Sequence, residues 1–238
     1  MRHHIMLAAA LAAPLLVLGI PAMAAGSRPA ADIERDAARK PAAMVAFAGI
    51  KPGMTVADFL PGGGYFTRVF AETVGPKGHV VAIIPPASAA RNADAAKAVA
   101  DLGKPESYGN VEVKAGFPEV PAGTIDVAWT SENYHDLHNA LPPEGLLALN
   151  KQVLAALKPG GVYVVLDHAA AAGSPADVTK TLHRIEAATV KAEILAAGFV
   201  FDGESKAVAN PADPRDKAVF DASIRGHTDQ FVYRFKKP

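Results

Sequence analysis

Apolar and polar positions along this chain repeat with two different periods. Between Asp32 and Ala48, Ile33, Ala37, Met44, Phe47 and Ala48 recur near one side of a helix, while Arg35, Asp36, Arg39 and Lys40 hold its polar side. Pro41 predicts a kink or break within that segment, because a proline ring cannot continue a helical hydrogen-bond ladder. Lys51-Pro52-Gly53-Met54 then reads as a turn, and Thr55 to Leu60 as a short strand of β-branched and apolar residues. The loop Pro61-Gly62-Gly63-Gly64 separates that strand from a helix over about Tyr65 to Thr73.

The same alternation continues downstream. His79 to Ile84 is continuously apolar after its first residue, the mark of a strand covered on both faces. Ser88 to Leu102 predicts a helix, Val111 to Lys114 a third strand, and Thr124 to Thr130 a fourth. Pro143 to Leu157 begins a helix at a proline, where the missing N–H does no harm. Lys158-Pro159-Gly160-Gly161 turns into the strand Val162 to Asp167, and a longer helix is expected from about Ala176 to Ala197, stopping at Gly198. Two strands, about Phe199 to Val208 and Gln230 to Phe235, close the series. Strands alternating with helices indicate βαβ units around a parallel sheet, and the two successive last strands suggest an antiparallel element. The expected fold is α/β, a doubly wound Rossmann-like sheet in a single domain.

The first residues change the picture of where this domain resides. Arg2, His3 and His4 precede an apolar run from Ile5 to Ile20, and Pro21-Ala22-Met23-Ala24 ends it with small residues. Cationic start, apolar middle and small-residue exit describe a secretory signal peptide cut near Ala24. The run is about 16 residues, short of the roughly 20 that a spanning helix needs. A periplasmic or secreted location is therefore expected, without stable membrane insertion after cleavage. The 24 basic residues are balanced by 24 acidic ones, with no basic stripe, so no electrostatic case for nucleic acid exists. The absence of cysteine excludes disulfides, a thiol nucleophile and a thiolate metal site.

Candidate chemistry centres on Val56-Ala57-Asp58-Phe59-Leu60-Pro61-Gly62-Gly63-Gly64-Tyr65. Glycines between a strand and a helix let the backbone turn sharply and approach a ligand, and the helix N-terminus behind them offers unpaired N–H groups. The run from Gly49 to Ala82 resembles the first motif of class I S-adenosylmethionine-dependent methyltransferases. Asp-Val-Ala-Trp-Thr-Ser-Glu-Asn-Tyr-His-Asp (126–136) resembles their fourth-strand motif, and Leu-Lys-Pro-Gly-Gly-Val-Tyr-Val-Val-Leu-Asp-His (157–168) their turn into strand five. The likeness is greatest to a signal-peptide-bearing branch of that superfamily with a tail like Ile-Arg-Gly-His-Thr-Asp-Gln-Phe-Val, and it spans roughly Ala31 to Pro238. It implies the strand order 3-2-1-4-5-7-6 and S-adenosylmethionine as cofactor, bound by Asp58, Pro61, Gly62, Gly63, Gly64 and Tyr65. It further implies methyl transfer to a small-molecule acceptor, and an N-terminal helix whose Asp36, Arg39 and Lys40 close the crevice as a lid.

The chain departs from the family pattern in three places. Leu60 stands where the first motif glycine is usual, Ile83-Ile84-Pro85-Pro86 lacks the acid that normally ends strand two, and Ala115-Gly116-Phe117 lacks the one that often follows strand three. These losses leave an alternative open: a methyltransferase fold retired from catalysis that binds a small ligand or a partner in the periplasm. An NAD-type oxidoreductase fits less well, since Gly-x-Gly-x-x-Gly is absent.

In an open α/β sheet the ligand crevice lies at the carboxyl ends of the strands, where the strand order reverses. With the strand order that the resemblance implies, that rule brings the glycine loop opposite Asn133-Tyr134-His135-Asp136, with His168 opening onto the same crevice. Asn133 is expected to orient an acceptor. His135 or His168 is the candidate base, and Tyr65 or Tyr134 is expected to face a sulfonium through its ring. His135, His138, Asp136 and His168 are also residue types that suit zinc, but no spacing fixes a geometry and the sequence is read without a metal. Asp126 reads as a structural residue of strand four, and His183-Arg184-Ile185-Glu186 as the solvated side of a long helix. Arg225-Gly226-His227-Thr228-Asp229 reads as a turn held by an Arg–Asp pair.

Overall fold

A computed structural model of the protein describes residues 28–175 and 177–238, so the expected signal peptide at residues 1–24 lies outside the described residues. Seven strands form one sheet: β1 (Thr55–Phe59), β2 (His79–Ile83), β3 (Val111–Lys114), β4 (Ile125–Ser131), β5 (Leu157–His168), β6 (Val200–Ser205) and β7 (Gln230–Lys236). Their order is β3-β2-β1-β4-β5-β7-β6, with β7 antiparallel to both β5 and β6 and the other pairs parallel. The doubly wound sheet and its order are those expected from the sequence.

Alternation along each strand divides the core in two. Ala57 and Phe59, Val81 and Ile83, Tyr163 and Val165 join one layer with Tyr134, Leu146, Val153, Val190 and Ile194. Val56, Val80, Ala82, Val164 and Leu166 join the other with Met44, Phe66, Phe70 and Val99. The helices supplying these layers are α2 (Pro41–Ala48), α3 (Tyr65–Val74) and α5 (Ala93–Asp101) on one face, and α6 (Tyr134–Ala140), α7 (Pro143–Ala156) and α9 (Ala187–Ala196) on the other. Burial on both faces explains why the central strands read as apolar runs. Asp126 is structural, as expected: its carboxylate accepts from the Thr55 N–H at 2.8 Å and pairs with Lys158 at 2.7 Å, tying β4 to the start of β1.

Three expected helices are divided. The N-terminal one becomes α1 (Ala30–Arg39) and α2, separated by Lys40 at φ 47°. That break turns α1 over: Ile33 is 58% exposed and Ala37 is also exposed, whereas Asp32 is buried and Arg39 half-buried. The segment expected over Ser88 to Leu102 splits at Asn92 into α4 (Pro86–Arg91) and α5, because the Asn92 side chain caps the second piece by accepting from the Ala95 N–H. The helix expected from 176 to 197 is interrupted between α8 (Val178–Thr181) and α9. There His183 sits at φ 54°, and Ile185 leaves the helical path to pair with β5, its N–H donating to the His168 carbonyl. Arg184 is therefore no solvated residue. It is fully buried, bonded to Asp213 at 2.8 Å and donating to the carbonyls of Ala169 and Lys217.

Candidate active site

Parallel register places Phe59 beside Thr130, so the loops leaving β1 and β4 emerge side by side at the reversal of strand order. Asn133 joins them: its Nδ2 donates to the Leu60 carbonyl at 2.9 Å and to the Ser131 carbonyl at 2.7 Å. Leu60 itself lies at φ 57°, the left-handed backbone that glycine adopts freely and a leucine resists. Leu60 stands where the motif glycine is usual and takes up a backbone conformation open to glycine.

The three glycines divide their work. A side chain at Gly62 or Gly63 would meet nothing, so both border open space, whereas one at Gly64 would crowd Arg68, Val99 and Leu102. Gly64, at φ 81°, begins α3 with no side chain capping it, leaving the first N–H groups of that helix toward the loop. The crevice has two lobes sharing Leu60, Pro61, Gly62 and Asn133. One, of about 610 Å³ counting space open to solvent, adds Arg35, Arg39, Asp58, Gly63, Tyr65 and Glu132. The other, beyond the ends of β1 and β2, adds Ile84, Ser88, Asn92, Ala96 and Asp136.

Asp58 is buried beneath the first lobe, with one carboxyl oxygen accepting from Thr67 Oγ1 at 2.7 Å. Burial pushes its carboxyl up to about 7, against the pull of that hydrogen bond and of Arg39. Tyr65 is occupied differently from expectation. Its hydroxyl donates to Asp36 at 2.6 Å, and the guanidinium groups of Arg28, Arg35 and Arg39 lie 5.0, 5.1 and 4.7 Å from its ring centre. Burial and the neighbouring Asp36 carboxylate push its hydroxyl up to about 12. Tyr65 thus anchors α1, and Arg39 extends from α1 to Ser131 and Glu132 on the opposite loop.

The far wall is organised by Asp167, which is fully buried at the end of β5. One carboxyl oxygen faces His135 Nδ1 at 2.8 Å, and the carboxylate also accepts the backbone N–H groups of His135 and His168. Burial alone would lower the His135 pKa, but the charge and hydrogen bond of Asp167, with Asp136 and Glu132, raise it overall. His168 is lowered, because burial outweighs the attraction of Asp167 and Glu132. Its Nδ1 meets Thr228 Oγ1 at 2.8 Å, and Gln230 stands 3.4 Å away and donates to Glu132. Glu132, at φ 60°, is a second strained residue on the crevice rim.

Of the expected site residues, Asp58, Pro61, Gly62, Gly63, Tyr65 and Asn133 line the crevice, and His135 and His168 share Asp167 behind it. Gly64 supports the loop from within. Tyr134 departs from expectation: it is fully buried in the α6–α7 layer, with its oxygen accepting from Asn150, and no ring face is offered to a sulfonium. One helical step carries it to the side opposite Asn133. His138 pairs with Glu193 at 3.1 Å and stands apart, and the turn before β7 is held by Asp229 with Arg215, rather than with Arg225. Asp167, Glu132, Thr228 and Gln230 were not singled out from the sequence. Asp167 carried a signal, since the strand period turns it to the same buried face as Tyr163 and Val165, where a carboxylate needs partners.

No family model matches the sequence, and no curated protein matches it. Solved structures do match at probability 1.00. A SAM-dependent methyltransferase from Aquifex aeolicus aligns with a TM-score of 0.60 at 20% identity, over 86% of this chain and 93% of that one. One from Mesorhizobium loti aligns with a TM-score of 0.53 at 18% identity, over 85% of this chain and 99% of that one. The cyclase SpnF aligns with a TM-score of 0.58 at 16% identity, over 85% of this chain and 82% of that one. The chain has the fold of the class I SAM-dependent methyltransferases, and its own crevice opens where the strand order reverses between β1 and β4.

Proposed function

We propose that the protein transfers a methyl group from S-adenosylmethionine to a small-molecule acceptor. The observation that carries this reading is the pairing of opposite charges around the glycine loop. The amino-acid end of the cofactor is a zwitterion, and the first lobe offers Arg35 and Arg39 for its carboxylate and Asp58 and Glu132 for its ammonium. The second lobe suits a nucleoside: Ile84, Ala95 and Ala96 give apolar walls. There Ser88, Asn92 and Asp136 stand in for the acid missing after β2. The residues present therefore fit the cofactor.

When bound, the cofactor would supply a methyl group on a sulfonium, open to in-line displacement. The chain's own part is positioning. Asn133 holds the two loops together, α1 and Tyr65 cover the first lobe as a lid, and the linked series Glu132, Gln230, His168 forms the acceptor-side wall beside His135. The proposed place of action is extracytoplasmic, on the strength of residues 1–24 alone.

Calorimetric titration of the full chain with S-adenosylmethionine and S-adenosylhomocysteine tests the reading. Saturable micromolar binding is expected, weakened at least tenfold by Gly62→Val, which places a strained, bulky residue in the lobe. Absence of binding by either compound at millimolar concentration would remove methyl transfer and favour the retired-fold alternative.

A further inference from the structure

His135, Asp136 and His183 come together at the end of the crevice, and the proposed function gives the third of them no role. His135 Nε2, a carboxylate oxygen of Asp136 and a ring nitrogen of His183 all lie within 4.8 Å of one another. Asp136 Oδ1 is 3.6 Å from His135 Nε2 and 3.8 Å from His183 Nδ1. Both separations are too long for hydrogen bonds. They are close to the spacing of neighbouring ligand atoms in a tetrahedral zinc site, about 3.3 Å for bonds of 2.0–2.1 Å.

Three independent features aim these atoms at a shared point. Asp167 accepts the Nδ1 proton of His135, which leaves the Nε2 lone pair outward. A buried carboxylate behind a histidine is the usual support of a metal-binding imidazole. His183 is held at φ 54°, a costly conformation for a bulky residue. Its neighbours enforce it, since Arg184 is locked to Asp213 and Ile185 to β5, and its ring packs edge-on to His135 at 5.5 Å and to Phe220 at 4.9 Å. Finally, the cluster is reachable. The Asp136 side chain is 55% exposed and lines the second lobe, and that of His183 is 35% exposed.

We infer that His135, Asp136 and His183 bind a divalent metal ion of the zinc class, with Asp167 positioning His135 and at least one coordination position left open toward the crevice. Two neutral imidazoles and one carboxylate suit Zn²⁺ and its first-row neighbours rather than Ca²⁺ or Mg²⁺, which prefer oxygen. This assignment goes beyond the reading of the sequence, which assigned no metal. His183 takes the place that His138 and His168 were candidates for. It is argued from the cluster's own geometry and does not rest on the proposed methyl transfer, although the two share His135 and Asp136.

The test is calorimetric titration of the metal-stripped full chain with Zn²⁺, with His3 and His4 replaced by Ala throughout, accompanied by the visible spectrum of the Co²⁺-loaded protein. One ion per chain at micromolar or tighter affinity is expected, with a Co²⁺ spectrum of a low-coordinate site. Asp136→Asn and His183→Asn should each weaken binding more than tenfold and abolish that spectrum. Asp167→Asn should weaken binding 10–100-fold while retaining it, and His138→Ala should change nothing. No saturable Zn²⁺ binding at millimolar concentration, or equal affinity in wild type, Asp136→Asn and His183→Asn, would overturn the assignment. Because no cofactor is present, either result leaves the test of S-adenosylmethionine binding untouched.

Discussion

At the scale of single residues, Asp58 is the group whose environment has the clearest measurable consequence. Its folded-state pKa, about 7, lies above its value of 3.8 in an unfolded chain. Stability from this residue is therefore fully present below about pH 4 and is lost as pH rises through 7. Asp58→Asn, which keeps an acceptor for Thr67, should remove that loss. Each pH unit between the folded and unfolded pKa corresponds to about 1.4 kcal/mol, so denaturant unfolding at pH 8 should find the variant more stable by a few kcal/mol. Near pH 4 the two proteins should converge. Ligand binding should respond in the opposite sense. A cation over the lobe needs ionised Asp58, so the affinity for S-adenosylmethionine should rise with pH across 7 in wild type and stay flat in Asp58→Asn.

At the scale of elements, α1 is attached chiefly by polar contacts. Asp32 is its one buried residue, and its links are polar: Asp32 to Arg68, Asp36 to Tyr65 and Arg28, and Arg39 to Glu132. Contacts of this kind weaken in salt, unlike apolar burial. Raising the ionic strength should speed amide exchange over residues 30–39 while β1 and β4 keep their protection. Tyr65→Phe should do the same at low salt, and should raise the ligand dissociation rate several-fold with little change in association. Equal protection of α1 at both ionic strengths would show that it does not act as a lid. The break before α9 is attached in the contrary way. Arg184→Leu leaves Asp213 buried without its partner, which should cost about 3–5 kcal/mol in urea unfolding.

At the scale of the whole molecule, the sequence shows its architecture more readily than its site. Central strands such as β2 and β4 are buried on both faces, so apolar runs and glycine turns were enough to place them, whereas their order came only from the resemblance of three segments to methyltransferases. The crevice loops were legible for the same reason, being fixed by topology at the ends of β1 and β4. Side-chain directions were not. Tyr134 turned inward because one helical step from Asn133 crosses to the core face. The apolar positions of α1 faced outward because Lys40 changed the helix phase and charged partners on α3 outweighed them. His183 and Arg184 kept helical spacing in the sequence, and the buried acid Asp213, 29 residues beyond Arg184, together with the pairing of Ile185 to β5, drew them out of it.

The position of β7 sets an order on how this molecule can come together. It follows β6 in sequence, yet it is inserted between β5 and β6, and it aligns Gln230 with His168. A nascent chain that has produced everything up to β6 holds the glycine loop and its supporting strands, but β5 then has an open flank and His168 has neither Thr228 nor Gln230. The half carrying the glycine loop can therefore mature while the half carrying His168 waits for the final strand. Proteolysis or truncation that removes β7 would expose the flanks of β5 and β6 that it joins, a template for pairing with other chains.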